Sequence, residues 1–170
     1  MRKTALIATV AFLLLPAATE AQVRLLGGVG VSNPMSDLNG VSDVGWHASA
    51  GLQLGIAALP VALRADGARH SFGQQGANPT PNILSGAVSL VVMFPGLGLS
   101  PYILGGLGVY RMGTDAPGAP TESDTGIHGA FGVDIGSLSA GGFAEVRLVN
   151  VGTESAGNRR YVSATLGFRL

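Results

Sequence analysis

The chain has 170 residues, with ten Lys and Arg against ten Asp and Glu, so its formal net charge is zero. It contains no cysteine, which excludes disulfides and thiol chemistry. The absence of a net positive charge or a basic run argues against nucleic-acid binding.

The first 21 residues predict a secretory signal peptide. Met1-Arg2-Lys3 is a short positive start, Ala5 to Leu15 is apolar, and Thr19-Glu20-Ala21 offers a cleavage site between small residues. The apolar run is shorter than the roughly 20 residues that a membrane-spanning helix needs. We therefore expect residues 1–21 to be removed and residues 22–170 to form one domain.

The rest of the chain predicts eight β-strands, because apolar residues recur at every second position in short segments. The mean hydropathy of +0.40 is high, yet after the first segment no apolar run is long enough to span a bilayer as a helix. The predicted strands are Val23–Ser32, Trp46–Ile56, Val61–Phe72, Leu84–Phe94, Pro101–Met112, Ile127–Ile135, Phe143–Leu148 and Tyr161–Leu170.

The connections between these strands alternate in length. Long polar segments follow the odd-numbered strands, at residues 33–40, 73–81, 113–125 and 152–159, and tight turns follow the others. Outer-membrane barrels have short periplasmic turns and long external loops. Acidic residues are expected to make the external tips mildly acidic and available to surface ligands: Asp37, Asp43, Asp115, Glu122 and Asp124.

The last strand has the clearest alternation. Val162, Ala164, Leu166, Phe168 and Leu170 lie on one face, with polar residues or glycine between them, and the pattern continues to the final residue. This segment predicts a strand with one apolar face.

Three segments carry a resemblance to a known family: Leu166-Gly-Phe168-Arg-Leu170, Pro101-Tyr102 with Gly105-Gly106-Leu107-Gly108, and Phe143-Ala-Glu145-Val-Arg147. The chain resembles the small eight-stranded outer-membrane barrels of the OmpA/OmpX type, without the peptidoglycan-binding domain that some members carry after the barrel. The resemblance implies an all-β, eight-stranded antiparallel up-and-down transmembrane β-barrel in the bacterial outer membrane. It also implies contact with outer-membrane lipids and lipopolysaccharide, and an assembly signal at Leu166, Phe168 and Leu170 that the barrel-assembly machinery reads.

Charged residues in the strands predict a lumen network. They lie on the face opposite the apolar series, and an Arg facing lipid at the midplane costs about 2–4 kcal/mol. An eight-stranded lumen is only wide enough for side chains, so charges inside it must pair. This favours a salt-bridged plug over a gated pore. The residues are Arg64, Asp66, Asp134, Glu145, Arg147 and Arg169.

Aromatic residues near the strand ends predict two belts at the membrane interfaces. Trp46, Phe72, Tyr110 and Tyr161 fall near the long loops, and Phe94, Tyr102 and Phe168 fall near the short turns. Two points stay open. Either face of the fifth strand is apolar enough to meet lipid. Phe143 lies on the same face of its strand as Glu145, which the assignment of apolar residues to the lipid-facing side does not explain.

Candidate catalytic residues are few. His47 and Ser49 share a strand face, which suits a nucleophile–base pair, but that face is the polar one, and a structural role is favoured. His70 and Ser71 face opposite ways, and His128 is expected in the lumen. We find no metal-ligand spacing, no phosphate loop and no cofactor motif.

The sequence therefore favours a non-enzymatic outer-membrane barrel with a structural or surface-interaction role. The alternatives are a narrow porin-like pore, a lipid-modifying enzyme and a soluble secreted ligand-binding barrel. Arg159 and Arg160, at a loop edge, are expected to be solvated, with contact to lipopolysaccharide phosphates as the alternative.

Overall fold

A computed structural model describes residues 22–36, 42–56, 59–74, 81–94, 96–114, 121–136, 141–153 and 157–170. These residues fold into one closed barrel of eight strands. Over the same ranges, no helix is long and apolar enough to cross a bilayer. The predicted signal peptide at residues 1–21, and the loop acids Asp37 and Asp115, lie outside the described residues.

Each strand pairs antiparallel with its sequence neighbours, and β1 closes the barrel against β8, which confirms the predicted fold. Several strands run further than the alternation predicted, into segments assigned to loops. β1, for example, continues through Pro34, and β6 begins at Glu122. The strands are β1 Gln22–Ser36, β2 Ser42–Gly55, β3 Val61–Gln74, β4 Pro81–Met93, β5 Leu99–Thr114, β6 Glu122–Gly136, β7 Gly141–Thr153 and β8 Gly157–Arg169.

The pairing registers fix the tilt of the strands. A row of paired residues that starts at Leu25 of β1 passes through every strand in turn. It returns to β1 at Met35, ten residues beyond its start. Such a stagger tilts the strands steeply, and the narrow barrel that results leaves an interior that side chains can fill.

The two faces of the wall differ in chemistry. Large apolar side chains cover the outside, including Leu107, Phe131 and Leu166, each at least 60% exposed. The structure settles the phase of β5, because Ile103, Leu107 and Val109 face outward while its tyrosines face inward. Phe143 is also interior, and its ring fills the space where Gly28 and Gly167 lack side chains.

The predicted aromatic belts are wrong for four of their seven residues. Trp46, Phe94 and Phe168 are on the outside, at 57%, 51% and 58% exposure. The other four predicted interface residues are at most 2% exposed and lie inside the barrel: Phe72, Tyr102, Tyr110 and Tyr161. The reason is that side chains alternate between the two faces of a strand. Each of these four residues lies on the face that points into the barrel, so a position near the strand end does not bring it to the membrane surface.

Candidate functional site

Two opposite strands supply the charges at the centre of the barrel. Arg64 and Asp66 lie on β3, and Glu145 and Arg147 lie on β7. Arg64 Nη1 donates to Glu145 Oε2 at 2.6 Å, and Arg147 Nη1 donates to Asp66 Oδ2 at 2.7 Å. Arg147 Nη2 also lies 2.9 Å from Glu145 Oε1. These four residues form one chain of ion pairs, here called the central network, which ties opposite walls together.

Neutral side chains complete the central network. Gln53 Oε1 accepts from Arg64 Nε at 3.1 Å and from Nη2 at 2.9 Å. The Tyr102 hydroxyl donates to Glu145 Oε2 at 2.8 Å, and the Arg64 guanidinium carbon lies 5.1 Å from the centre of the Tyr102 ring. Buried charges need such partners, because burial removes most of the water that would otherwise solvate them.

A second ion pair lies nearer the short-turn end, where Arg169 Nη1 donates to Asp134 Oδ2. Arg24 is also buried at this end, and its Nη2 donates to Gln22 Oε1 at 2.9 Å. The structure therefore places all six charges predicted for the lumen in the interior. It joins four of them in the central network, and Asp134 and Arg169 pair with each other.

Above the central network, a chain of hydrogen bonds joins two histidines. Ser32 Oγ lies 3.0 Å from His47 Nδ1 and 2.8 Å from His70 Nδ1. The far nitrogen of His47 lies 2.9 Å from Thr165 Oγ1, and that of His70 lies 3.5 Å from the Tyr161 hydroxyl. Because Ser32 can donate to one ring and accept from the other, both imidazoles fit this chain in their neutral forms.

The third histidine has separate partners on other strands. His128 Nε2 lies 2.7 Å from Ser89 Oγ, and Nδ1 lies 3.3 Å from the Tyr110 hydroxyl. Side chains of β4 and β5 thus hold the imidazole of His128, and its interior position is the one predicted from the sequence.

The long-loop end of the interior is apolar. A cluster of buried side chains, here called the apolar cap, fills it across five strands. Its members are Phe72, Ile83, Tyr110, Met112, Val149, Val151 and Tyr161. Two of the tyrosines point their hydroxyls down to the histidines, so the apolar cap and the polar interior form one continuous filling.

Between these layers the described residues leave a cavity of about 40 Å³, bordered by Asp66, His70 and Arg147 among others. A volume of this size holds a few water molecules at most.

The interior does not assemble the nucleophile–base pair that the spacing of His47 and Ser49 suggests. His47 bonds to Ser32 and Thr165, while Ser49 Oγ donates to the Gly28 carbonyl at 3.5 Å. Ser71, adjacent to His70, faces outward by parity. Within the described ranges, no group of three or more acidic or histidine side chains is arranged to hold a metal ion.

Sequence reasoning missed Gln53, Tyr102, Ser32 and Thr165 as members of the interior networks. The two-residue alternation of side chains could have identified them. Each lies on the same face of the sheet as a charged residue or a histidine of its own strand or of a paired strand. The three predicted assembly residues, Leu166, Phe168 and Leu170, lie on the outer face, at 70%, 58% and 60% exposure.

No family model matches the chain, and no curated protein sequence matches it either. Solved structures do. Neisserial surface protein A is similar with a TM-score of 0.77 at 16% identity, over 88% of this chain and 97% of that one. Ail, the attachment invasion locus protein of Yersinia pestis, has a TM-score of 0.59 at 12% identity, over 89% of this chain and 100% of that one.

The N-terminal β-barrel domain of Pseudomonas aeruginosa OprF is also similar, with a TM-score of 0.56 at 12% identity, over 89% of this chain and 100% of that one. At these identities the likeness concerns the fold. The chain has the fold of the small eight-stranded outer-membrane barrels.

Proposed function

We propose that this chain is a closed barrel of the bacterial outer membrane, with a structural and surface-interaction role. The observation that carries this proposal is the filled interior of the described residues: two sets of ion pairs, the histidine chain and the apolar cap occupy it, and a cavity between them has a volume of about 40 Å³. We propose that the lumen is closed and that the barrel acts through its outer wall and its loops.

The outer wall supports the membrane location. Side chains such as Val29, Leu107 and Leu166 are 63%, 68% and 70% exposed and belong to a continuous apolar surface. Soluble proteins rarely expose apolar patches of that extent. This apolar wall is stable when it faces lipid rather than water. The observation therefore disfavours a soluble ligand-binding barrel.

The surface role is supported by the comparisons at the level of fold. Two of the similar structures carry names that refer to a surface protein and to attachment and invasion. For this chain, we propose that the loops at the ends of β1, β3, β5 and β7 contact surface ligands. Among the predicted acids, Asp43 and Glu122 are exposed at these ends, and Arg159 lies 3.4 Å from Glu122.

We propose a route to the membrane that uses residues 1–21 and the last strand. Residues 1–21 would direct export and then be removed. The outward-facing Leu166, Phe168 and Leu170 would then be available to the barrel-assembly machinery. We propose a non-enzymatic role, which is supported by the hydrogen bonds that the three described histidines form with serine, threonine and tyrosine side chains.

The experiment is gel mobility of the protein from fractionated cells, unboiled against boiled. The proposal predicts that the protein is found in the outer-membrane fraction and that its unboiled form migrates differently from its boiled form. A protein that shows no shift and remains soluble in plain buffer would overturn the proposal in favour of a secreted ligand-binding barrel.

A further inference from the structure

The short-turn end of the barrel is apolar, and leucines lie at the tips of its turns. Leu59, in the turn between β2 and β3, is 56% exposed, and Leu97, in the turn between β4 and β5, is fully exposed. Turns that face water are normally rich in polar residues. Here all three short turns and their flanks are without charge, over residues 54–61, 88–101 and 135–142.

Exposed charges are found instead at the opposite end of the barrel. Among the described residues they all lie in the half of each strand that is nearer the long loops: Asp43, Arg69, Arg111, Glu122 and Arg160. The charged residues nearest the short turns are Arg24, Asp134 and Arg169, and each is at most 8% exposed and points into the lumen. The outer surface of the described residues is therefore free of charge from the middle of the wall to the tips of the short turns.

The backbone at the short-turn end has hydrogen-bond partners within the protein. The N–H of Leu59 donates to the carbonyl three residues before it at 3.1 Å. The N–H of Met93 donates to the Pro60 carbonyl at 2.8 Å, which ties the first turn to the end of β4. The N–H of Gly136 donates to the Gly98 carbonyl at 3.2 Å, which ties β6 to the second turn. Backbone groups in contact with lipid need such internal partners, because lipid tails offer none.

The height of the charge-free wall fits the apolar thickness of an outer membrane. Arg69 and Arg111 flank Leu84 in one row of the sheet, and Phe94, beside the second turn, is ten residues further along the chain. At about 3.3 Å per residue and a tilt of about 40°, these residues span roughly 25 Å along the membrane normal. The apolar band of outer-membrane barrels is also about 25 Å tall. If the outward arginines lie at one interface, the second turn lies at the other.

We propose that the short-turn end is anchored in the inner leaflet of the outer membrane, with Leu59 and Leu97 inserted among the phospholipid acyl chains just below the headgroups. The occupant of this surface is lipid, because the exposed side chains of Ile56, Phe94 and Leu99 make the tips continuous with the lipid-facing wall. The inference rests on the proposed membrane location. It adds that the short turns are held in the leaflet and do not project into water.

The test is depth-dependent fluorescence quenching of the full-length protein, extracted from membranes and reconstituted into phosphatidylcholine vesicles. Trp46→Phe removes the single tryptophan, and Leu97→Trp or Leu59→Trp then places one at a turn tip. Two reference variants lie on β5. Leu107→Trp reports the middle of the lipid-facing wall, and Thr114→Trp reports the exposed long-loop end. The quenchers are phosphatidylcholine brominated either near the headgroup or near the end of the acyl chain, and iodide on both sides of the membrane.

We expect lipid brominated near the headgroup to quench both turn variants more strongly than lipid brominated near the chain end. Iodide should quench them several-fold less than it quenches Thr114→Trp. Quenching by iodide equal to that of Thr114→Trp, without quenching by brominated lipid, would overturn the inference, because the turns would then lie in water. Protection from both quenchers would overturn it too, since a second copy or another protein would then cover the tips.

All variants are first checked for the mobility shift between unboiled and boiled samples, and the two turn variants keep the test available if one of them does not fold. Leu107→Trp tests the proposed function itself. If brominated lipid fails to quench it, the wall does not face lipid and the proposed function fails. If brominated lipid quenches Leu107→Trp but neither turn variant, the membrane barrel stands and the inner-leaflet anchor is wrong.

Discussion

Neutralising Glu145 is the sharpest perturbation of the central network. Its side chain is 4% exposed, and its carboxylate accepts from Arg64, Arg147 and the Tyr102 hydroxyl. Glu145→Gln keeps the shape of the side chain but leaves buried Arg64 without its carboxylate partner and Arg147 with Asp66 alone, and it turns an amide nitrogen toward a donor. Breaking a buried ion pair costs about 3–5 kcal/mol. We expect the free energy of unfolding to fall by about that amount.

The assay is reversible urea unfolding in detergent or lipid, followed by the fluorescence of Trp46. This is the single tryptophan of the chain, and it lies on the outer wall, away from the mutated site. The matched control is Glu122→Gln, which removes an ion pair whose carboxylate is 60% exposed and 3.4 Å from Arg159. That variant should lose less than about 1 kcal/mol. Equal and small losses in both variants would refute the reasoning.

Three further predictions concern packing, assembly and export. Gly132→Ala should destabilise the barrel by about 1–3 kcal/mol in the same unfolding assay, because the new methyl group would collide with the Tyr102 ring. Gly129→Ala, on the outer face of the same strand, has its nearest non-neighbouring atom at 3.7 Å and should not destabilise it. Phe168→Ala should lower the fraction of cellular protein that shows the mobility shift, and an unchanged fraction would argue against an assembly signal there. N-terminal sequencing of membrane-extracted protein should begin at Gln22, and an intact Met1 would contradict a cleaved signal.

Period-two alternation carries most of what the sequence could predict about the fold. In β2, β4 and β8 one face is continuously apolar, so the outward side is readable without any structure. The same alternation placed six charges inside the lumen. For β5 it failed, because both faces are apolar. The inward direction of Tyr102 and Tyr110 is favoured by hydrogen bonds from their hydroxyl groups to Glu145 and His128. These bonds form only in the closed barrel.

The partners within the interior could not be predicted from local pattern. Arg64 meets Glu145 across the barrel because of the ten-residue stagger, and that stagger is a property of the closed sheet as a whole. The error over Phe72 and Tyr161 has a simpler cause. Their position near a strand end suggests the membrane interface, but the two-residue alternation puts Phe72 on the same face as His70 and Tyr161 on the same face as Ser163, and both faces are interior.

Conductance of the reconstituted protein in a planar bilayer tests the central claim most directly. The preparation should be the form that shows the mobility shift, so that a folded barrel is present. If the central network and the apolar cap close the lumen, the bilayer stays electrically silent apart from its baseline leak. Stepwise ion conductance from the unmodified protein would contradict a closed interior and favour the narrow pore.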